Sequence, residues 1–274
     1  MFRLSLPVTL FALACCCNLG CSLPRFSASR DFQASFPVSG PVSIRAMTSN
    51  GSITVVAYEG SSVELVAHLT ARGTTQAEAD DFLTQIDPVC MLENDLLTID
   101  AKPKNIRFST SISLELKVPS QSSVNLNTSN GEIVVSNTGG PVKAKTSNGD
   151  VSISQASAMV DAETSNGSLT FKECTCMINA STSNGNVTVE QSELSGKSSI
   201  RTSNGSMDLQ LRSPAPLDLE ASTSNGSIQC DLPLVAAQQT KKSIVGVLFP
   251  SEGNKPEGSL SLSTSNGSVH LKAE

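Results

Sequence analysis

Six carboxylates, Asp150, Asp161, Glu163, Asp208, Asp218 and Glu220, are the residues of this sequence best suited to general acid and base chemistry. A polysaccharide-cleaving site needs two of them converging in a cleft, often beside a Lys or Arg. Their spacing spreads them instead over alternate, solvent-facing strand positions, which reads as a hydrated face. Neither histidine supplies a base: His68 lies in the strand-like "VELVAHLT" and His270 in "TSNGSVHL", and no Ser and Asp fall in a pattern that would complete a triad. Phosphate-cradling glycine loops are absent from the sequence, and Gly139 with Gly140 reads as a turn. A net charge of -6 without any basic cluster argues against nucleic acid as a partner. No enzymatic activity and no cofactor are expected.

Eight cysteines suggest disulfides or a metal until they are placed. Cys15, Cys16 and Cys17 close an apolar N-terminal run and Cys21 follows it, leaving Cys90, Cys174, Cys176 and Cys230. Four thiols in the remaining chain do not make a disulfide-dense scaffold. A zinc site would need two close pairs or added histidines, so no metal is expected. Cys174 and Cys176 would share one face if both lie on a strand, where a bridge is awkward. Buried free thiols are the expectation.

Residues 1–20 read as a secretion signal, with Arg3 ahead of the apolar run "LSLPVTLFALACCC". The following "NLGCS" resembles the bacterial lipoprotein cleavage box, which implies Cys21 as the lipid-accepting residue after Gly20. Asn18 stands where that box prefers Leu, and "ALAC" at Cys15 is a competing site. Lipidation would anchor the mature protein to a membrane at about 0.8 kcal/mol per buried methylene. Ser22, in place of Asp, implies the outer membrane by the same resemblance.

The elements that must position all these residues announce themselves through one tetrapeptide. "TSNG" occurs eight times, at Thr48, Thr128, Thr146, Thr164, Thr182, Thr202, Thr223 and Thr264. It supplies the pairs Asn50 and Gly51, Asn130 and Gly131, Asn148 and Gly149, Asn166 and Gly167, Asn184 and Gly185, Asn204 and Gly205, Asn225 and Gly226, and Asn266 and Gly267 as structural turns. Aligned on the Thr, the positions two and four before it and five and seven after it are apolar in thirty-one of thirty-two places, Ser198 being the exception. Each unit is therefore strand, turn, strand, with inward alternation that changes parity across the tetrapeptide. Glycine, which accepts positive φ freely, and Asn, which tolerates it, are expected to make that shift. The Thr is expected to point inward.

Either an antiparallel hairpin meander or a β-solenoid, with one unit per coil, fits this pattern. Successive steps of 18, 18, 18, 20 and 21 residues from Thr128 to Thr223 suit a coil whose length varies only at its far turn. Identical letters at every turn favour the solenoid, since only stacked corners touch and can form an Asn ladder. Stacking would also set Lys143 and Lys145 beside Asp161 and Glu163. The absence of Trp and the single Tyr fit a thin stack filled by aliphatic side chains.

A signal peptide over 1–20, an anchor or linker over 21–35, an N-terminal solenoid part over 36–127 and a repeat solenoid over 128–274 are the expected divisions. A helix near 75–86, opened by the capping box Thr75 to Glu78, interrupts the first part. An insertion over 232–259 interrupts the second, and its Ile244, Val245, Val247, Leu248 and Phe249 should cover an end or edge.

Over roughly Phe36 to Leu271 the chain resembles the bacterial "putative adhesin" family of Ser/Thr-x-Asn-Gly repeats. The resemblance rests on "VSIRAMTSNGSITVVAYEG", the helical insertion, the run of repeats and the closing "TSNGSVHL". It implies an all-β solenoid without known catalytic residues. The expected function is a non-enzymatic, lipid-anchored envelope protein, at the outer membrane or cell surface, meeting a cell-surface glycan or protein. A structural or stress-related envelope scaffold is the first rival and a polysaccharide-active enzyme the second.

Overall fold

A computed structural model describes residues 26–102, 109–212, 215–251 and 253–273. The expected signal 1–20 and both candidate lipid sites, Cys15 and Cys21, lie outside the described residues.

Among the described residues, alternating apolar side chains build twenty-three strands and one helix. The N-terminal part holds β1 (Phe26–Pro37), β2 (Ser43–Thr48), β3 (Ile53–Tyr58), β4 (Ser62–Gly73), α1 (Gln76–Leu83), β5 (Val89–Glu93), β6 (Leu96–Ala101) and β7 (Ser109–Pro119). The central coils are β8 (Ser123–Asn127) with β9 (Ile133–Ser136), β10 (Val142–Lys145) with β11 (Val151–Ser154), and β12 (Val160–Asn166) with β13 (Leu169–Lys172). They continue with β14 (Ile178–Asn184) and β15 (Val187–Ser192), then β16 (Lys197–Asn204) and β17 (Met207–Leu211). Last come β18 (Leu217–Asn225), β19 (Ile228–Cys230), β20 (Leu234–Gln239), β21 (Ser243–Leu248), β22 (Gly258–Asn266) and β23 (Val269–Lys272).

These strands form two sheets facing one another. The first runs β1-β4-β7-β3-β9-β11-β13-β15-β17-β23-β19, the second β20-β21-β18-β22-β16-β14-β12-β10-β8-β2-β6-β5. Each "TSNG" carries the chain from the second sheet to the first. The ladders between coils are parallel and in register, as in Val142↔Val160 and Val151↔Leu169, so the hairpin meander is ruled out. The expected inward rows are buried from Ile44 to Leu271 except Ile228 and Cys230, which are half-buried on the last strand of their sheet. Ser198 is buried too, its hydroxyl accepting from the Ile178 N–H at 3.1 Å.

Stacking order departs from chain order at both ends. β2 and β3 lie between β6 and β7 on one side and β8 and β9 on the other. The final coil, β22 and β23, is inserted between β16 and β17 and the earlier coil β18 and β19. Inside the stack the last strands pair on both edges, whereas a terminal coil would fray. The hairpin of β20 and β21, within the expected insertion, lies antiparallel on β18 and buries Ile244 and Leu248. Residues 26–35, expected as linker, instead form most of β1, because "FSASRDFQASF" sets Ala28, Phe32, Ala34 and Phe36 against the core.

At the other end β1, β4 and β7 make an antiparallel layer. α1 packs on it, with Thr75 capping the Glu78 N–H at 3.2 Å and Glu78 returning to the Thr74 N–H at 2.8 Å. His68 spans the layer's outer face, Nδ1 at 2.8 Å from Asp31 on β1 and Nε2 at 3.3 Å from Glu115 on β7. The Asp31 hydrogen bond raises the His68 pKa from 6.5; burial opposes it, and the charges of Asp31 and Glu115 with the Glu115 hydrogen bond add to the rise. A raised folded pKa adds stability below the unfolded value and loses it as pH rises through the folded one. His68→Gln should therefore cost stability at pH 5 and nearly nothing at pH 8, measured by urea midpoints. Equal losses at both pH values would remove the charge-based clamp.

Candidate interaction surface

The corners where the coils turn form one continuous edge, and its chemistry follows from three stacked rows. Each repeat Thr is buried, and its hydroxyl donates at 2.8–3.1 Å to a backbone carbonyl of the adjacent coil. For seven of the eight, that carbonyl belongs to the neighbour's repeat Gly; Thr48 uses Ile112. Threonine is thus the residue that fills an apolar inward row and satisfies a carbonyl at once.

The glycines serve a different purpose from the one the sequence suggests. Only Gly51 among them has a left-handed φ, and none of the repeat asparagines does. A Cβ on Gly131, Gly149, Gly167, Gly185, Gly205, Gly226 or Gly267 would overlap the carbonyl of the next glycine in the stack. On Gly51 it would overlap the Ile112 carbonyl. Close approach of corner to corner therefore excludes a side chain, joined by a special dihedral only at Gly51.

All eight asparagines are exposed along this edge. Seven side-chain bonds of 2.7–2.9 Å join them in the order 50, 130, 148, 166, 184, 204, 266, 225, each Nδ2 donating to the preceding Oδ1. Water can replace such exposed bonds, so Asn166→Ala should cost only about 1 kcal/mol. A urea midpoint unchanged within error would show the ladder to be decorative. Beside the ladder runs a row of serines from Ser49 to Ser265, exposed in every coil but the first. On the other side Ser52, Glu132, Asp150, Ser168, Asn186, Ser206, Ser268 and Ser227 follow the glycines. Here Asp150 accepts from the Ser168 N–H at 2.7 Å and Asn186 from the Ser206 N–H at 2.9 Å.

The outer face of the second sheet is polar through its middle. Lys143 meets Asp161 at 2.9 Å and Lys145 meets Glu163 at 2.8 Å, the pairing expected from the spacing. Next to them Asn179, Ser181 and Ser199 leave a shallow trough between the carboxylates and Arg201. Of the six carboxylates, Asp161 and Glu163 share a strand, as do Asp218 and Glu220 on β18. Asp208 sits on the opposite sheet with His270 at 3.1 Å and Lys272 at 3.5 Å. Asp150 lies at the corner edge. The structure gathers no more than two of them in one place.

The four cysteines among the described residues are free. Cys174 and Cys176 are buried in the turn between β13 and β14 and not on one strand, while Cys90 and Cys230 are only half-buried, at the two ends of the stack. Hydrogen bonding from Cys176 holds the Cys174 thiol below its ordinary range and pushes Cys176 above it. Among the described residues no three His, Cys, Asp or Glu side chains are placed to hold a metal ion.

Two parallel sheets, stacked corners and interleaved ends define a β-solenoid whose repeat letters are read out along one edge. The chain belongs to the Toastrack DUF4097 family, whose model matches residues 97–272. No curated protein matches the sequence. Among solved structures, a "putative cell adhesion protein" from Clostridium sporogenes is similar at 7% identity and TM-score 0.36, covering 90% of this chain and 100% of that one. A "putative adhesin" from Bacteroides fragilis shares 9% identity at TM-score 0.42, covering 89% and 97%. Another of that description from Parabacteroides distasonis shares 9% at TM-score 0.32, with the same coverage.

Proposed function

We propose that this chain is a non-enzymatic envelope protein, exported and lipid-anchored through Cys21, that offers its corner edge and the polar trough to a cell-surface glycan or protein. The observation that carries the reading is the repetition of the edge. Between the end residues Asn50, which only accepts, and Asn225, which only donates, each ladder Asn commits one Nδ2 hydrogen and one Oδ1 lone pair to its neighbours. Through Asn148, Asn166 and Asn184 this leaves one donor and one acceptor per coil facing outward at the spacing of β-strands, about 4.8 Å, while the Asn204 Nδ2 also reaches the Ser183 carbonyl at 3.5 Å. Single groups of this kind compete poorly with water, so binding would be weak per coil and gain from many coils acting together. A partner with hydroxyls or amides at regular intervals fits that edge.

The self-bonded ladder also favours a second reading, an envelope scaffold whose repeats serve only its own rigidity. Orientation separates the two. With a tag after Glu274 and a periplasm-facing lipoprotein as control, protease treatment of intact cells should remove the tag, and Cys21→Ala should release the protein from the membrane fraction. Protection of the tag until the outer membrane is opened would end the surface reading and leave the scaffold.

A further inference from the structure

We infer that copies of this chain associate head to tail, the second sheet of one continuing into the second sheet of the next through β20 and β5. Among the described residues both strands are unpaired on their outer edge, each closing one end of that sheet. Strand direction makes the ends complementary. β6, β2 and the coils up to β18 run parallel, and β5 is antiparallel to β6. β21 is antiparallel to β18 and β20 to β21, so β20 runs with the stack. A copy displaced along the stack axis, without inversion, therefore sets β20 antiparallel to β5, the stronger kind of ladder.

Side-chain alternation then selects a register. Leu234 opposite Leu92, Val235 opposite Met91 and Ala236 opposite Cys90 match inward residues with inward and outward with outward. Val235 and Met91, 60% and 52% exposed, are the two most exposed large apolar side chains among the described residues, and this register covers both. The bulge after Ala236, with Pro88 and Pro233 flanking the strands, confines the ladder to a few residues.

Charge agrees with direction. Between residues 75 and 95 the sequence carries six acidic side chains and no Lys or Arg, whereas the hairpin 234–248 carries only Lys241 and Lys242. Antiparallel pairing brings that hairpin's tip toward the Asp87 end of β5. The interface is heterologous, so it propagates as an open series and not as a closed dimer.

Sedimentation of the full-length chain, alone and as the variants Val235→Lys and Met91→Lys, tests this. The wild type should show a mass that rises with concentration and falls with added salt. Each variant alone should be monomeric, with an unchanged melt because both positions are on the surface. Mixing the two variants in equal amounts should double the mass and stop there, since each supplies the end the other lacks. A wild type monomeric throughout would overturn the inference. So would a Val235→Lys chain that still dimerises, which would point to β5 pairing with β5.

Discussion

Gly167→Ala should destabilise the protein by about 3 kcal/mol or more, the upper range for overpacking, because the atom it meets is backbone. The new methyl would overlap the Gly149 carbonyl oxygen. Relieving it means lifting one corner off another. That strains the Gly167 N–H bond to the Asn184 carbonyl at 3.0 Å, the Gly149 N–H bond to the Asn166 carbonyl at 3.1 Å and the Thr164 hydroxyl bond to the Gly149 carbonyl at 3.0 Å. Gly40 offers the control: a Cβ there would have nothing within 4 Å, and Gly40→Ala should stay within about 0.5 kcal/mol of the parent. Urea unfolding of the two variants beside Asn166→Ala decides the order. A Gly167→Ala chain as stable as Gly40→Ala would mean the corners do not stack this closely.

Phe171→Ala should cost about 3–5 kcal/mol, the range for removing a buried phenyl. Phe171 is the one fully buried aromatic among the described residues and stands between Ile153 and Val189 in the ladder. Its neighbours are fixed by strand register above and below, so they cannot slide into the space it leaves. Phe171→Leu, which keeps most of the volume, should recover the larger part of the loss. If Phe171→Ala cost less than about 1 kcal/mol in the same urea experiment, the interior would be collapsible and not a rigid stack.

Much of this fold is legible because the repeat fixes both face and register. Once the corners are aligned, an 18-residue step puts Lys143 beside Asp161 and Lys145 beside Glu163, and the structure has both ion pairs. The inward Thr is legible from parity alone. The glycine is legible only as a turn residue: its true constraint is a neighbour one coil away, which local dihedral reasoning does not reach. The position of the Thr264 coil is not legible at all. Every coil carries the same letters, so the letters alone do not say that β22, after the hairpin of β20 and β21, returns between β18 and β16. The ladder's asparagines are visible as a series in the sequence, but the direction of their bonds and the exposed edges of β5 and β20 exist only once the stack is assembled.

Interleaving of the last two coils is the feature that sets the β20 end of the second sheet and the closing steps of the ladder. Cross-linking of introduced cysteines reads it directly. Asn204 and Asn266 are register partners, whereas Asn225 lies one coil further on. Adjacent strands are about 4.8 Å apart, within the Cα separation a disulfide accepts, and strands two apart are not. Oxidation of the Asn204→Cys, Asn266→Cys chain should therefore give an intramolecular bridge, located by peptide mass, and the Asn204→Cys, Asn225→Cys chain should give none. A bridge in the second chain and not in the first would mean that the coils stack in chain order, contradicting the interleaved solenoid.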